Sequence, residues 1–305
     1  MSDRRLVRVR VPASTANLGP GFDALGMALG LYNEIVVEIA GIGLSLEIEG
    51  EGAERLQALG RQNLVARAVT GTLEKLGRQV DGLRVRMLNR IPLSRGLGSS
   101  SAAALGGVAA AATLAGVSLA PEEMLDFALP QEGHPDNITP ALLGGLTVAT
   151  LVGGKVQCVK LPVPEGLSAV AVIPEFHLAT AKARRALPPT VPRADAVFNV
   201  GRVALFLAAM QTGRLDLLRE AAGDRLHQPY RAPLVPGMAE VLAEGEAAGA
   251  LACFLSGAGP TLLALVKGEG AGIGERMAAC WKERANVTAR ALLLPIDRDG
   301  LVIEE

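Results

Sequence analysis

The run LVRVRV (Leu6–Val11) alternates apolar and basic side chains at period two, as an edge or half-buried strand does. LYNEIVVEIA and LSLEIEG read as two further strands, with a glycine-marked turn at Gly41 and Gly43 between them. NLVARAVTGTLEKLG switches to helical spacing and stops at Gly77, and GLRVRMLNRIPL returns to a strand. An alanine-rich helix follows from Ser101. PEEMLDFALPQ opens the next helix with Pro121 in its first turn. GGLTVATL is a strand, and the GGK turn at Gly153–Lys155 leads into a new one. Beyond it come a strand, LSAVAVIP, and two helices, ADAVFNVGRVALFLAAMQTG and LDLLREAAGDRL. The chain closes with helix MAEVLAEGEAAG, the strand pair ACFLSGAGPTLLALV, helix GEGAGIGERMAACWKER and strand VTARALLLPI. This order predicts an α+β protein of two domains, residues 1–155 and 156–305.

Composition narrows the class of partner. Half of the 305 residues are hydrophobic and 20% are charged, enough to bury a large core. Thirty basic residues against 31 acidic ones give a net charge of −1, and aromatics make up 3% of the chain. A nucleic-acid or membrane surface is therefore not expected, and an RNA-binding module is disfavoured. A small-molecule partner fits better. Cys158, Cys253 and Cys280 are widely spaced and form no CxxC pair, which fits a reducing cytoplasm. The N-terminal MSDRRLVRVRVPAS has arginines but no apolar stretch of signal-peptide type behind them. Ser101–Ala120 is long enough to span a membrane, yet it is mostly Ala and Gly, so a buried helix is the expectation.

The chemistry centres on IPLSRGLGSSSAA, Ile91–Ala103, where two glycines and four serines stand before the alanine helix. A P-loop would need a lysine after the second glycine, and a dinucleotide fingerprint would need a third glycine where Ser101 stands. The physics common to both motifs survives. Glycines let backbone N–H groups approach phosphate oxygens, and a helix N-terminus adds free donors and a positive dipole. The serines supply hydroxyls for a phosphate or Mg²⁺, or simply cap the helix.

The segment IPLSRGLGSSSA resembles the ATP-binding motif of the GHMP kinases. VRVPASTANLGPGFDALGMAL, ending at Leu29, resembles the N-terminal motif of the homoserine kinases within that family. EGHPDNITPALLGGL (Glu132–Leu146) is similar to their central motif, and FLSGAGPTLLAL (Phe254–Leu265) to the C-terminal glycine motif. The resemblance implies a ribosomal-protein-like N-terminal domain and a ferredoxin-like C-terminal domain, with ATP and substrate between them. It implies ATP-dependent phosphorylation of the side-chain hydroxyl of L-homoserine, with Mg²⁺, in a cytoplasmic homodimer. The alternatives are another GHMP kinase of mevalonate type, against which STANLGPGFD argues, and a non-catalytic ligand-binding homologue.

Residue by residue, the resemblance assigns Pro92, Leu93, Ser94, Arg95, Gly96, Leu97, Gly98, Ser99, Ser100 and Ser101 to the nucleotide. Asn63 joins them, a nucleotide contact or a helix N-cap. Ser100 and Glu132 would hold Mg²⁺. A zwitterionic substrate needs an acid for its ammonium group and arginine for its carboxylate. Asp23 is the acid, Arg184 (chosen over Arg185 on register from Thr180) and Arg231 the carboxylate ligands, and Asn17, Thr180 and Asn137 further polar contacts. An Asx-turn is the plain alternative for Asp23. Asp136, Asn137 and His134 are the catalytic candidates. Asp136 is either a general base or a scaffold, and His134 is read as scaffold first. His177 and His227 fall outside the motifs and are expected to be structural or exposed.

Overall fold

The computed structural model describes residues 5–268 and 270–304. Its strands are β1 (Leu6–Ala16), β2 (Leu25–Ile39), β3 (Gly43–Gly50), β4 (Gly82–Asn89), β5 (Leu146–Val152), β6 (Lys155–Leu161), β7 (Leu167–Pro174), β8 (Ala252–Leu255), β9 (Leu262–Lys267), β10 (Ala289–Pro295) and β11 (Val302–Glu304). The helices are α1 (Ala53–Ala58), α2 (Leu64–Lys75), α3 (Ser99–Leu114), α4 (Pro121–Glu132), α5 (Pro135–Leu143), α6 (Thr180–Arg185), α7 (Arg193–Thr212), α8 (Leu218–Ala221), α9 (Gln228–Arg231), α10 (Met238–Ala247) and α11 (Ala271–Ala285).

The first sheet has seven strands, with β11–β1–β2–β4–β3 as its main path. At 15 residues β2 is long enough to pair twice on one side, with β4 through Glu34–Ile39 and with β5 through Leu25–Met27. β1 runs along its other side, so LVRVRV is an inner strand once β11 adds to it. The Gly41–Gly43 turn does not close a hairpin: β3 passes over to lie parallel to β4. β5 and β6 form a hairpin of this same sheet, so residue 155 lies inside it. By sheet membership the change to the second half comes after Leu161.

The second sheet is antiparallel, ordered β10–β7–β9–β8. LSAVAVIP is apolar throughout because both of its faces are covered. Ala169, Ala171 and Ile173 face the core shared with the first half, and Val170 and Val172 face α11, which brings Met277 and Trp281 to their cluster. One hydrophobic cluster thus runs from Val9 and Ile35 to Phe206 and Phe254, tying the halves into one body.

α3 explains the membrane-length apolar run. It is buried from Ser101 to Ala112, packed on β1 and β2 with α2 and α4 beside it. Its small side chains permit that approach: a Cβ on Gly107 would stand 2.5 Å from Ala68 Cβ. No helix among the described residues is long and apolar enough to cross a membrane. LDLLREAAGDRL yields only the four-residue α8, because the Asp224 carboxylate takes the N–H groups of Leu226, His227 and Gln228 and starts α9 instead.

Candidate active site

The glycine loop is held by backbone packing. Gly96 (φ 75°) and Gly98 (φ 69°) have left-handed conformations, and Ser94 joins them at φ 54°. A Cβ on Gly96 would stand 2.1 Å from the Ser256 carbonyl oxygen, and one on Gly98 2.0 Å from Ser14 Oγ. Ser256 Oγ donates to the Gly96 carbonyl at 2.6 Å and lies 2.8 Å from Thr15 Oγ1. Ser14 N donates to the Leu97 carbonyl, and Gly257 N to that of Ala16. The N-terminal motif, the glycine loop and the C-terminal glycine motif therefore interlock.

The alternative of a serine cap is not what the structure shows. Gly98 is the N-cap of α3 and no side chain caps the helix. The first-turn N–H groups are left to face a cavity of about 560 Å³ lined by Gly96–Ser101, within the usual size of a ligand site. Ser101 Oγ instead donates to Glu132 Oε2 at 2.8 Å. Burial pushes the Glu132 carboxyl above its ordinary range, and hydrogen bonds from Ser100 and Ser101 oppose the shift. Both hydroxyls and the carboxylate are hard oxygen donors beside the helix N-terminus, a set that fits Mg²⁺. Among the described residues no group of three His, Cys, Asp or Glu side chains forms a metal cluster.

Two nucleotide assignments change character. Arg95 lines the cavity, but its guanidinium turns away. Nε donates to the Pro174 carbonyl at 2.7 Å, and the other nitrogens engage the carbonyls of Leu93 and Glu175 and the His177 ring. The arginine stitches the loop to the second half. Asn63 caps α2, its Oδ1 accepting from Val65 N and Ala66 N, so its amide is committed to the fold. Around it Leu56, Leu59, Leu64, Met87 and Pro92 give the cavity an apolar end.

The opposite end is charged. Asp23, at φ 57°, meets Arg184 in a two-pronged ion pair, Oδ1–Nη2 2.7 Å and Oδ2–Nη1 3.1 Å. No Asx-turn forms: the Asp23 carboxylate is on Arg184, and it is Asn17 Oδ1 that accepts the Asp23 N–H. Asn17 Nδ2 donates to the Gly257 carbonyl, so this amide too closes the loop. On α6, Thr180 and Arg184 share the cavity-facing side while Arg185 stays exposed. Arg231 is buried, and Nη1 donates to the Gly257 carbonyl at 3.0 Å. Burial, with Arg184 nearby, pulls Arg231 down to about 10, so it stays charged at neutral pH. Both arginines line the cavity, while their Nε atoms are closed off from solvent with no hydrogen-bond partner.

Between these ends lies the start of α5. His134 is its N-cap residue without a side-chain cap bond, and among the described residues no hydrogen bond joins it to Asp136. Burial and the nearby Arg184 lower the His134 imidazole. Asp136 is 4% exposed. Burial, reinforced by the charge of Asp23, pushes its carboxyl up to about 7. Asn137 Oδ1 accepts from Ser14 Oγ at 2.9 Å.

Sequence reading gave Ser14, Phe22 and Asp224 no role and expected His227 to be structural or exposed; of these two it is structural. His227 is fully buried, with Nε2 2.7 Å from the Gly19 carbonyl and its ring stacked on Phe22. Its spacing of four before Arg231 was the one signal available.

Models of the GHMP kinases match twice, the N terminal domain over residues 63–145 and the C terminal one over 206–283. The chain is 45% identical over 295 residues to the homoserine kinase of Moorella thermoacetica, covering 97% of this chain and 99% of that one. It is 46% identical to the homoserine kinase of Carboxydothermus hydrogenoformans over 88% of each chain. The crystal structure of homoserine kinase from Cytophaga hutchinsonii superposes with a TM-score of 0.87 at 28% identity, over 100% of this chain and 99% of that one. With both domain models matched in order and near-full-length relatives at this identity, the chain belongs to the homoserine kinases of the GHMP kinase family.

Proposed function

We propose that this chain transfers the γ-phosphoryl group of ATP to the side-chain hydroxyl of L-homoserine, giving O-phospho-L-homoserine and ADP. One observation carries the reading: a single cavity has an uncapped helix N-terminus at one end and two arginines beside a carboxylate at the other. The apolar end takes the adenine, and the loop's backbone donors take the phosphates. Glu132 and Ser100, with Ser101 behind the carboxylate, would hold Mg²⁺. When bound, the cation neutralises charge that builds on the phosphates.

At the acceptor end Arg184 and Arg231 offer their guanidinium charges to the homoserine carboxylate. Asp23 keeps lone pairs beyond the two that Arg184 uses, enough to accept the ammonium group. A zwitterion thus bridges an ion pair already in place. This aims the hydroxyl along the cavity at the γ-phosphorus. The new O–P bond forms as the bond to the bridging oxygen of ADP breaks, and the hydroxyl proton leaves to the Asp136 carboxylate or to water. Asn137, fixed by Ser14, orients the acceptor.

A mevalonate-type substrate would leave Asp23 without its ammonium partner, and a non-catalytic homologue would have no use for the Ser–Glu132 oxygen set. A cytoplasmic homodimer goes with the family reading. Incubation with ATP and Mg²⁺ and a panel of hydroxyl acceptors, following ADP release, tests the assignment. L-homoserine is expected to be the best acceptor, with mevalonate and galactose near background. Equal turnover of mevalonate would overturn it.

A further inference from the structure

The acceptor end rests on two buried residues, Asp224 and His227, that neither the motifs nor the mechanism uses. His227 Nε2 faces two acceptors, the Gly19 carbonyl at 2.7 Å and Asp224 Oδ2 at 3.5 Å. A carbonyl oxygen only accepts, so Nε2 carries the proton. Burial pulls the imidazole down to about 4, which keeps the ring neutral at working pH and leaves Nδ1 a lone pair. That lone pair lies 3.2 Å from Arg231 Nη1 and accepts from it.

The same ring stacks on Phe22, centroids 5.2 Å apart. Phe22 in turn has the guanidinium carbons of Arg231 and Arg184 5.2 and 5.7 Å from its centroid. The ring's negative face offsets the repulsion between two cations that point at one site. Asp224 fixes the start of α9 by accepting four N–H groups, one of them from Asn199, which also donates to the Pro20 carbonyl. Gly19 sits where a Cβ would meet the Ala222 carbonyl at 2.2 Å, so the loop is seated directly on this support.

We propose that His227, backed by Phe22, is the positioning residue that sets the Arg231 guanidinium for the substrate carboxylate and holds the loop carrying Asn17 and Asp23 in register with it. The inference rests on the acceptor-end reading above.

The test is a double-mutant cycle in steady-state kinetics with ATP, Mg²⁺ and L-homoserine, using His227→Phe, Arg231→Gln and their combination, with the Tm of each. His227→Phe keeps the stack but removes the acceptor. It should raise the homoserine KM about tenfold, the range of one hydrogen bond to a charged group, and leave the ATP KM within about twofold. Combined with Arg231→Gln it should add nothing. His227→Gln, which donates and accepts, should recover most of the loss. If His227→Phe does not fold, Phe22→Leu takes its place in the cycle. Additive effects, or an ATP KM that rises as far as the homoserine KM, would mean that the cluster only supports the fold, and the proposal fails. If Arg231→Gln itself leaves the homoserine KM unchanged, the carboxylate reading fails first and takes the proposal with it.

Discussion

The two ends of the cavity are built in different ways. At the end we propose for the nucleotide, the groups on offer are backbone N–H donors, set by left-handed glycines and an uncapped helix. Arg95 of that loop spends its guanidinium on backbone carbonyls, those of Pro174 and Glu175 in the second half and of Leu93 in its own loop. At the end we propose for the acceptor, the groups on offer are side chains from separate segments, Asp23, Asp136, Arg184 and Arg231, with the buried His227 beneath. A phosphate chain is recognised by many weak donors on a rigid frame. A small zwitterion needs few charges in exact relation, each supported from behind. Substitutions should therefore separate the ends cleanly.

The largest effect is expected at Glu132. Glu132→Gln keeps the shape and the Ser101 contact but removes the charge that would hold Mg²⁺. We expect kcat to fall about a hundred- to a thousandfold, the scale of losing a group that stabilises transition-state charge, with the fold intact by Tm and circular dichroism. Activity within a few-fold of wild type at saturating Mg²⁺ would remove Glu132 from the metal site.

The next effect lies at the other end. Asparagine tolerates the left-handed conformation of Asp23, so Asp23→Asn is mild for the backbone. It breaks the Arg184 ion pair and the expected ammonium contact together. Charge-assisted hydrogen bonds contribute on the order of 1.5–3 kcal/mol, so kcat/KM for homoserine should drop roughly ten- to a hundredfold. Nucleotide affinity should barely move. Loss of both would signal misfolding, and loss of neither would take Asp23 out of the acceptor site.

The same contrast explains what could be read from the chain. Glycine-coded backbone is local, so Gly96 and Gly98 announced the phosphate loop, and period-two runs announced most strands. The serine cap failed because Gly98 holds the N-cap position and Ser101 turns to Glu132, a partner 31 residues away. The direction of the Arg95 guanidinium and the burial of His227 depend on carbonyls far along the chain, at Pro174 and Gly19, which no local pattern encodes. β3 crossing to β4, and β11 returning to β1, are likewise choices of sheet position that alternation alone leaves open. The motif resemblance did carry Asp23, Arg184 and Arg231 to one cavity. It gave no sign that the first two are already paired.

The smallest effect concerns Asp136, which lies between the ends, and it separates base from scaffold. Its carboxyl titrates near 3.8 in an unfolded chain and is pushed up to about 7 in the folded one, mainly by burial. Between those values the folded state holds a proton that the unfolded state has lost. Stability from this group is therefore full at low pH and lost as pH rises from about 4 through about 7. Asp136→Asn removes the burden of ionising a buried acid. The variant's Tm advantage over wild type should be small near pH 4.5 and grow steadily to pH 8, on the scale of ~2–4 °C per kcal/mol. Kinetics on the same variant decide the role. If the ionised carboxylate takes the hydroxyl proton, wild-type kcat rises with pH through a limb near 7, and the variant loses both that limb and most of its rate. If Asp136 only shapes the α5 turn, the variant keeps its rate, and the wild-type profile is flat across that range. A Tm difference that stayed the same at pH 4.5 and pH 8 would show that the shift is not there, and the base reading would lose its physical support.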